Sequence, residues 1–193
     1  MTINHKFRAS FTVLSTWYSG NWQMAINYYF KLEQFLTPAM VMGRQYHEEW
    51  QKYIDENKRL PLVFGHKELK NPITENKIVV DMDNWLELVG KYDCYDDGVI
   101  YEFKTGKQSS EKYASSPQVG IYGLLAKSAG SRVEKAEIYH YDQYRKKSDM
   151  SIIWMTEQRL KEAENWVVTL SSEIHDYFTK NNLYVRLGGQ NAN

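Results

Sequence analysis

From about Ser10 to Asn57 apolar residues recur at helical spacing, with Thr37 suited to cap a helix, Pro38 to its first position and Pro61 to its stop. Within that stretch Met40, Gly43, His47, Trp50 and Ile54 return every three or four residues. This predicts an apolar, inward face with a histidine on it. The middle of the chain changes period. Leu62 to Phe64, Lys77 to Asp81, Trp85 to Asp93 and Val99 to Lys104 are short runs rich in β-branched and aromatic residues and read as strands. Asp97-Gly98 is a favoured two-residue hairpin turn; it sets Asp96 opposite Val99, Cys94 opposite Tyr101 and Asp93 opposite Glu102. Alternation along the strand then puts Glu102 and Lys104 on one face, Tyr101 and Phe103 on the other.

After a polar loop from Thr105 to Ser116, Pro117 opens a helix to about Ser128, with Gly130 past its end and Gln118 and Tyr122 one turn apart. Ala136 to Tyr141 and Ser151 to Met155 read as strands. A long helix from Glu157 to about Lys180 follows, capped by Thr156, with Leu160, Val167, Leu170, Ile174 and Phe178 as its core stripe. The Gly188-Gly189 tail is expected to fray. Helices, then strands, then strands mixed with helices predict an α/β fold with a central mixed sheet flanked by helices.

Composition narrows the function. No linker or repeat divides the 193 residues, so one domain over 1–193 is expected. Lys plus Arg and Asp plus Glu both total 24, so any contact with nucleic acid must be local rather than driven by net charge. The lone Cys94 excludes an internal disulfide, an iron–sulfur cluster or a zinc knuckle, and fits a reducing setting. Met1 to Ser10 has no apolar signal core, and no run approaches the roughly 18 apolar residues of a membrane span; a cytoplasmic, soluble protein is expected. The aromatic side chains are expected mostly in the core.

Two carboxylates directly opposed on neighbouring strands would lie about 5 Å apart and repel. A divalent cation removes that cost, and oxygen ligands at this separation suit Mg²⁺ or Mn²⁺, with Lys104 aiming an ammonium at the same spot. Metal plus lysine could position a water and stabilise the negative charge that builds up in phosphodiester hydrolysis. Taken alone, each signal has a bland reading: His47 as a core histidine, Glu102 and Lys104 as a solvated strand face, Gln118 and Tyr122 as a helix pair. Asp81 and Asp83 read as a strand end and turn. The Arg145-Lys146-Lys147 stretch reads equally as a phosphate contact or a solvated turn, while Lys112 and Tyr113 could guide a single strand.

Four elements in order give the constellation its specificity: Gly43-Arg44-Gln45-Tyr46-His47, Gly90-Lys91-Tyr92-Asp93, Glu102-Phe103-Lys104-Thr105-Gly106 and Gln118-Val119-Gly120-Ile121-Tyr122. On them the chain resembles the RecB-like branch of the PD-(D/E)xK nucleases. The resemblance implies a restriction-endonuclease-like core and cleavage of DNA, single-stranded or at duplex ends, with many relatives acting as exonucleases. It implies that His47, Asp93, Glu102 and the Phe103 carbonyl bind the metal, that Lys104 orients or activates the water, and that Gln118 and Tyr122 steady Lys104 or the DNA backbone. Relatives in CRISPR adaptation and those linked to helicases carry a four-cysteine iron–sulfur staple, from which this chain departs. Two other readings stay open: a catalytically idle DNA-binding or assembly subunit, and a structural ion cluster of the carboxylates with Lys91 and Lys104. A protein partner or homo-oligomer is left open by the sequence.

Overall fold

The computed structural model describes residues 6–32 and 36–188. Strand β1 (Phe7–Ser10) opens it, followed by helices α1 (Phe11–Tyr18), α2 (Trp22–Tyr29) and α3 (Pro38–Asn57). The helical opening third is thus three helices, preceded by a strand. Ser10 ends β1 and caps α1, its hydroxyl accepting from the Val13 N–H. Thr37 caps α3 as expected, accepting from the Met40 N–H, and Lys58 closes it in the left-handed conformation. Only the later part of α3 turns inward: Trp50 and Ile54 are buried while Met40 is exposed.

Leu62–Phe64 is a short 3-10 turn, not a strand. Pro61 fixes its entry and Gly65, at φ 89°, its exit, and such a frame closes a turn rather than continuing a ladder. Strands β2 (Ile73–Thr74), β3 (Lys77–Asp83), β4 (Leu86–Lys91), β5 (Cys94–Asp96) and β6 (Val99–Thr105) follow. Asp97 and Gly98 both take positive φ and form the anticipated turn, with Asp96 opposite Val99 and Cys94 opposite Tyr101. The run ending at Asp93 does not continue into that hairpin, however. At Tyr92-Asp93 the chain leaves β4, which pairs with β1 and β3, and enters β5, which pairs with β2 and β6. The single central sheet anticipated from sequence is thus two mixed sheets, ordered β1-β4-β3 and β2-β5-β6-β7-β8. The pairing of β1 with β4 joins residues nearly eighty positions apart, such as Phe7 and Leu86.

The polar loop after β6 contains a short helix, α4 (Ser110–Ala114). Helix α5 (Pro117–Ser128), strands β7 (Lys135–Asp142) and β8 (Lys147–Trp154), helix α6 (Glu157–Lys180) and helix α7 (Leu183–Gly188) complete the order. Gly189 lies outside the described residues. Thr156 caps α6, and its expected stripe from Leu160 to Phe178 is buried. The larger core joins α1, α2, α5 and α6 to β1, β4 and one face of β6 and β7. A smaller cluster of Trp50, Phe64, Tyr101, Phe103 and Tyr139 packs the other face beneath α3. Several aromatics expected inside are outside: Tyr18, Trp22, Tyr144 and Trp154. Burial pushes the Cys94 thiol up to about 12, which leaves it unreactive. Among the described residues no helix is long and apolar enough to cross a membrane.

Candidate active site

Glycines let the elements that carry the site come close. A Cβ on Gly43 of α3 would stand 3.1 Å from the Thr105 hydroxyl oxygen at the end of β6. With that contact made, His47, one turn further along, reaches the sheet. A Cβ on Gly90 would overlap the Leu125 Cδ1 methyl, so α5 could keep its place against β4 only if the Leu125 side chain shifted. Gly43 and Gly90, which open the first two sequence motifs, therefore mark close approach of helix to strand.

His47 Nδ1 lies 3.2 Å from Asp93 Oδ1, and the other Asp93 oxygen accepts the Phe103 N–H at 2.7 Å. Asp93 sits in the link between β4 and β5, not in a ladder position opposite Glu102; the backbone of β6 holds its carboxylate instead. Phe103 turns its ring away, stacked on Phe64 at 5.3 Å, so only its backbone borders the carboxylates. Lys104 donates to Glu102 Oε1 at 2.6 Å. From α5, Gln118 Nε2 donates to the same oxygen at 3.0 Å and lies 2.7 Å from the Tyr122 hydroxyl. The structure thus brings His47, Asp93, Phe103, Glu102, Lys104, Gln118 and Tyr122 into one place. Lys91, a candidate member of a structural cluster, pairs with Glu75 rather than with Asp93 or Glu102.

Glu75 is the site residue that the sequence did not mark. It lies between β2 and β3 with φ 52°, and its N–H donates to the Asp93 carbonyl. One donor atom from each of His47, Glu75 and Asp93 lies within 4.8 Å of the others. No motif spacing flags it; an acidic residue in a polar Thr-Glu-Asn turn looks like a solvated turn, and only the β2–β5 pairing carries it to Asp93.

The electrostatics are those of a site short of positive charge. Glu102 is 3% exposed, and its second carboxylate oxygen, Oε2, is buried with no hydrogen-bond partner among the described residues. Burial first, and the charge of Asp93 second, push its carboxyl up to about 7, against the lowering pull of Lys104. Burial alone would lower Lys104, but the charges of Glu102 and Asp93 raise it, so its ammonium stays charged. Burial would likewise lower His47, and the hydrogen bond and charge of Asp93 outweigh it. Burial raises the Tyr122 hydroxyl, which remains a neutral phenol. An orphaned carboxylate oxygen beside a second carboxylate, with a further Glu and a His within reach, fits a hard divalent cation.

The family model of the PD-(D/E)XK nuclease superfamily matches residues 9–184. No curated protein sequence matches. Among solved structures, an alkaline exonuclease from Laribacter hongkongensis is 12% identical with a TM-score of 0.57, over 92% of this chain and 94% of that one. A Eubacterium rectale protein to which exonuclease activity is ascribed is 14% identical with a TM-score of 0.60, over 93% and 82%. A phage-related exonuclease from Haemophilus somnus is 11% identical with a TM-score of 0.50, over 84% and 82%. At these identities the likeness is one of fold.

Proposed function

Because this chain belongs to the PD-(D/E)XK nuclease superfamily, we propose that it is a divalent-metal-dependent deoxyribonuclease of the RecB-like branch that hydrolyses phosphodiester bonds from DNA ends. The observation that carries this reading is the buried, partnerless Oε2 of Glu102 beside Asp93, with Lys104 and Gln118 both fixed on the other Glu102 oxygen. Buried polar atoms are rarely left unpaired, and one on a carboxylate beside a second carboxylate is suited to a cation. Glu102, Asp93, His47 and the Phe103 carbonyl would hold Mg²⁺ or Mn²⁺, with Glu75 available to the same ion or its waters. When bound, the ion supplies Lewis-acid stabilisation of the charged phosphate and lowers the pKa of a nearby water.

The protein's own groups do the rest. Lys104, charged and tied to Glu102, presents N–H donors to the attacking water and to a phosphate oxygen. Gln118 keeps the Glu102 carboxylate from rotating, and Tyr122 orients the Gln118 amide, so both are positioning residues. Asp93 accepts from the Phe103 N–H and stays aimed at the site. Attack from an end is supported by the fold shared with chains described as exonucleases, one of them solved with dAMP.

End-labelled single- and double-stranded linear DNA and closed circular DNA, incubated with Mg²⁺, Mn²⁺ or EDTA beside Lys104→Ala, test this. Metal-dependent loss of linear but not circular DNA, absent in the variant, is expected. DNA binding without cleavage under any condition would move the reading to an idle assembly subunit.

A further inference from the structure

Just past the end of β6, three residues beyond Lys104, the chain builds a second feature. Lys107 Nζ stands 5.4 Å over the ring of Tyr144, which is 64% exposed in the turn between β7 and β8. The same turn carries Arg145, Lys146 and Lys147, all exposed. Among the described residues Lys107, Lys146 and Lys147 have no carboxylate partner, and Arg145 reaches only Asp142, at 3.7 Å. Asp142 is itself spent on the turn, accepting from the Tyr144 and Arg145 N–H groups. In a chain with no net charge, this leaves a local excess of positive charge around an exposed ring.

The surface is braced rather than loose. The Gly106 N–H donates to the Tyr141 carbonyl, joining the end of β6 to β7. His140, 2% exposed, donates from Nε2 to the Gly106 carbonyl at 2.8 Å and holds Asp149 with Nδ1 at 2.9 Å. Asp149 in turn accepts from the Ser110 N–H. This fixes the loop that bears Tyr113, whose ring lies against His140 and 5.6 Å beneath Lys104 Nζ. Lys104 with Tyr113 and Lys107 with Tyr144 are thus two cation–ring pairs, linked through His140 and Gly106.

We propose that Lys107, Tyr144, Arg145 and Lys147 form a ledge for single-stranded DNA, which stacks a base on Tyr144 and leads its backbone to Lys104. The inference rests on the nuclease reading and names the substrate within it. Within a duplex the base faces are already stacked on their neighbours, so an exposed ring set beside the strand finds its partners most readily in a single strand, and the flanking cations neutralise phosphates without reading sequence.

The test measures binding of a fluorescent oligo-dT in Ca²⁺ and in EDTA, and KM and kcat in Mn²⁺. It compares the wild type, Tyr144→Ala, Arg145→Glu/Lys147→Glu and, as a remote control, Lys180→Glu. Tyr144→Ala should weaken oligo-dT binding about tenfold, the loss falling on KM rather than kcat. The double charge reversal should flatten the slope of log affinity against log salt by at least about 1.4, from two lost phosphate contacts. Lys180→Glu should bind as wild type. Wild-type behaviour of both ledge variants, in a protein that does cut DNA, overturns the ledge and leaves the nuclease standing. So does tighter binding of blunt duplex, or of oligo-U, than of oligo-dT. A wild type that neither binds nor cuts any DNA in Mn²⁺ sinks the nuclease reading itself.

Discussion

Lys104 and Glu102 are bound at 2.6 Å from neighbouring positions on one strand face, and their fates are linked. Lys104→Ala should cut the cleavage rate by at least ~10²–10³, the usual loss when a donor to the developing charge is removed, with the fold retained by circular dichroism. Residual activity near wild type would rule out the proposed role. Glu102 also sets a pH dependence. Its carboxyl lies at about 7 in the folded protein against an ordinary 4.5, so protonated Glu102 favours the folded state. That contribution is complete below pH 4.5 and is lost as pH rises through about 7, each tenfold difference in proton affinity between folded and unfolded chain being worth about 1.4 kcal/mol. Without metal, the melting temperature should therefore fall between pH 5 and 8, and Glu102→Gln should make that slope shallower, leaving the part that the raised His47 contributes with the same sign. An equal slope in the variant would assign the titration elsewhere. At this scale the sequence was informative where motif spacing named residues: His47, Asp93, Glu102, Lys104, Gln118 and Tyr122 converge. Glu75 was invisible because its turn carries no spacing signal.

Among the elements, those with explicit end signals were readable: Thr37-Pro38 before α3, Pro117 opening α5 and Thr156 before α6. Those defined by distant partners were not. β1 exists because β4 lies beside it in parallel, and α4 is held by Asp149 at its first turn; neither cause is local. The glycines between elements give the clearest test of packing. Gly90→Ala drives a methyl into the Leu125 side chain and should cost ~1–3 kcal/mol by overpacking. For a chain of this size that lowers the melting temperature by roughly 2–4 °C per kcal/mol. Leu125→Ala alone should destabilise by ~2–5 kcal/mol, yet the pair should cost less than the two added together, because the cavity admits the new methyl. Strict additivity in the double-mutant cycle would mean that Gly90 is not held to glycine by α5.

At the scale of the whole molecule, the site is where separate parts of the chain meet. His47 comes from α3, Glu75 from the turn after β2, Asp93 from the crossing between the two sheets and Glu102 from β6. Local periodicity could place each residue on its own element but could not show that one sheet becomes two at Asp93, which is what turns its carboxylate toward His47 and away from a ladder position. Carboxylates gathered this way repel until a cation joins them, so ion binding should stabilise the fold as a unit and not one loop. At a hundredfold excess over its dissociation constant, a ligand of the folded state adds ~2.7 kcal/mol, which is roughly 5–11 °C in melting temperature for a domain of this size. Mn²⁺ should therefore raise the melting temperature of the metal-stripped protein, EDTA should reverse the rise, and Asp93→Asn should abolish it. Hydrogen exchange should show slower opening in α3 and in the β5–β6 hairpin together. No shift on adding Mn²⁺ would mean that Lys104 and His47 already satisfy the carboxylates, and the cluster would then be a structural one.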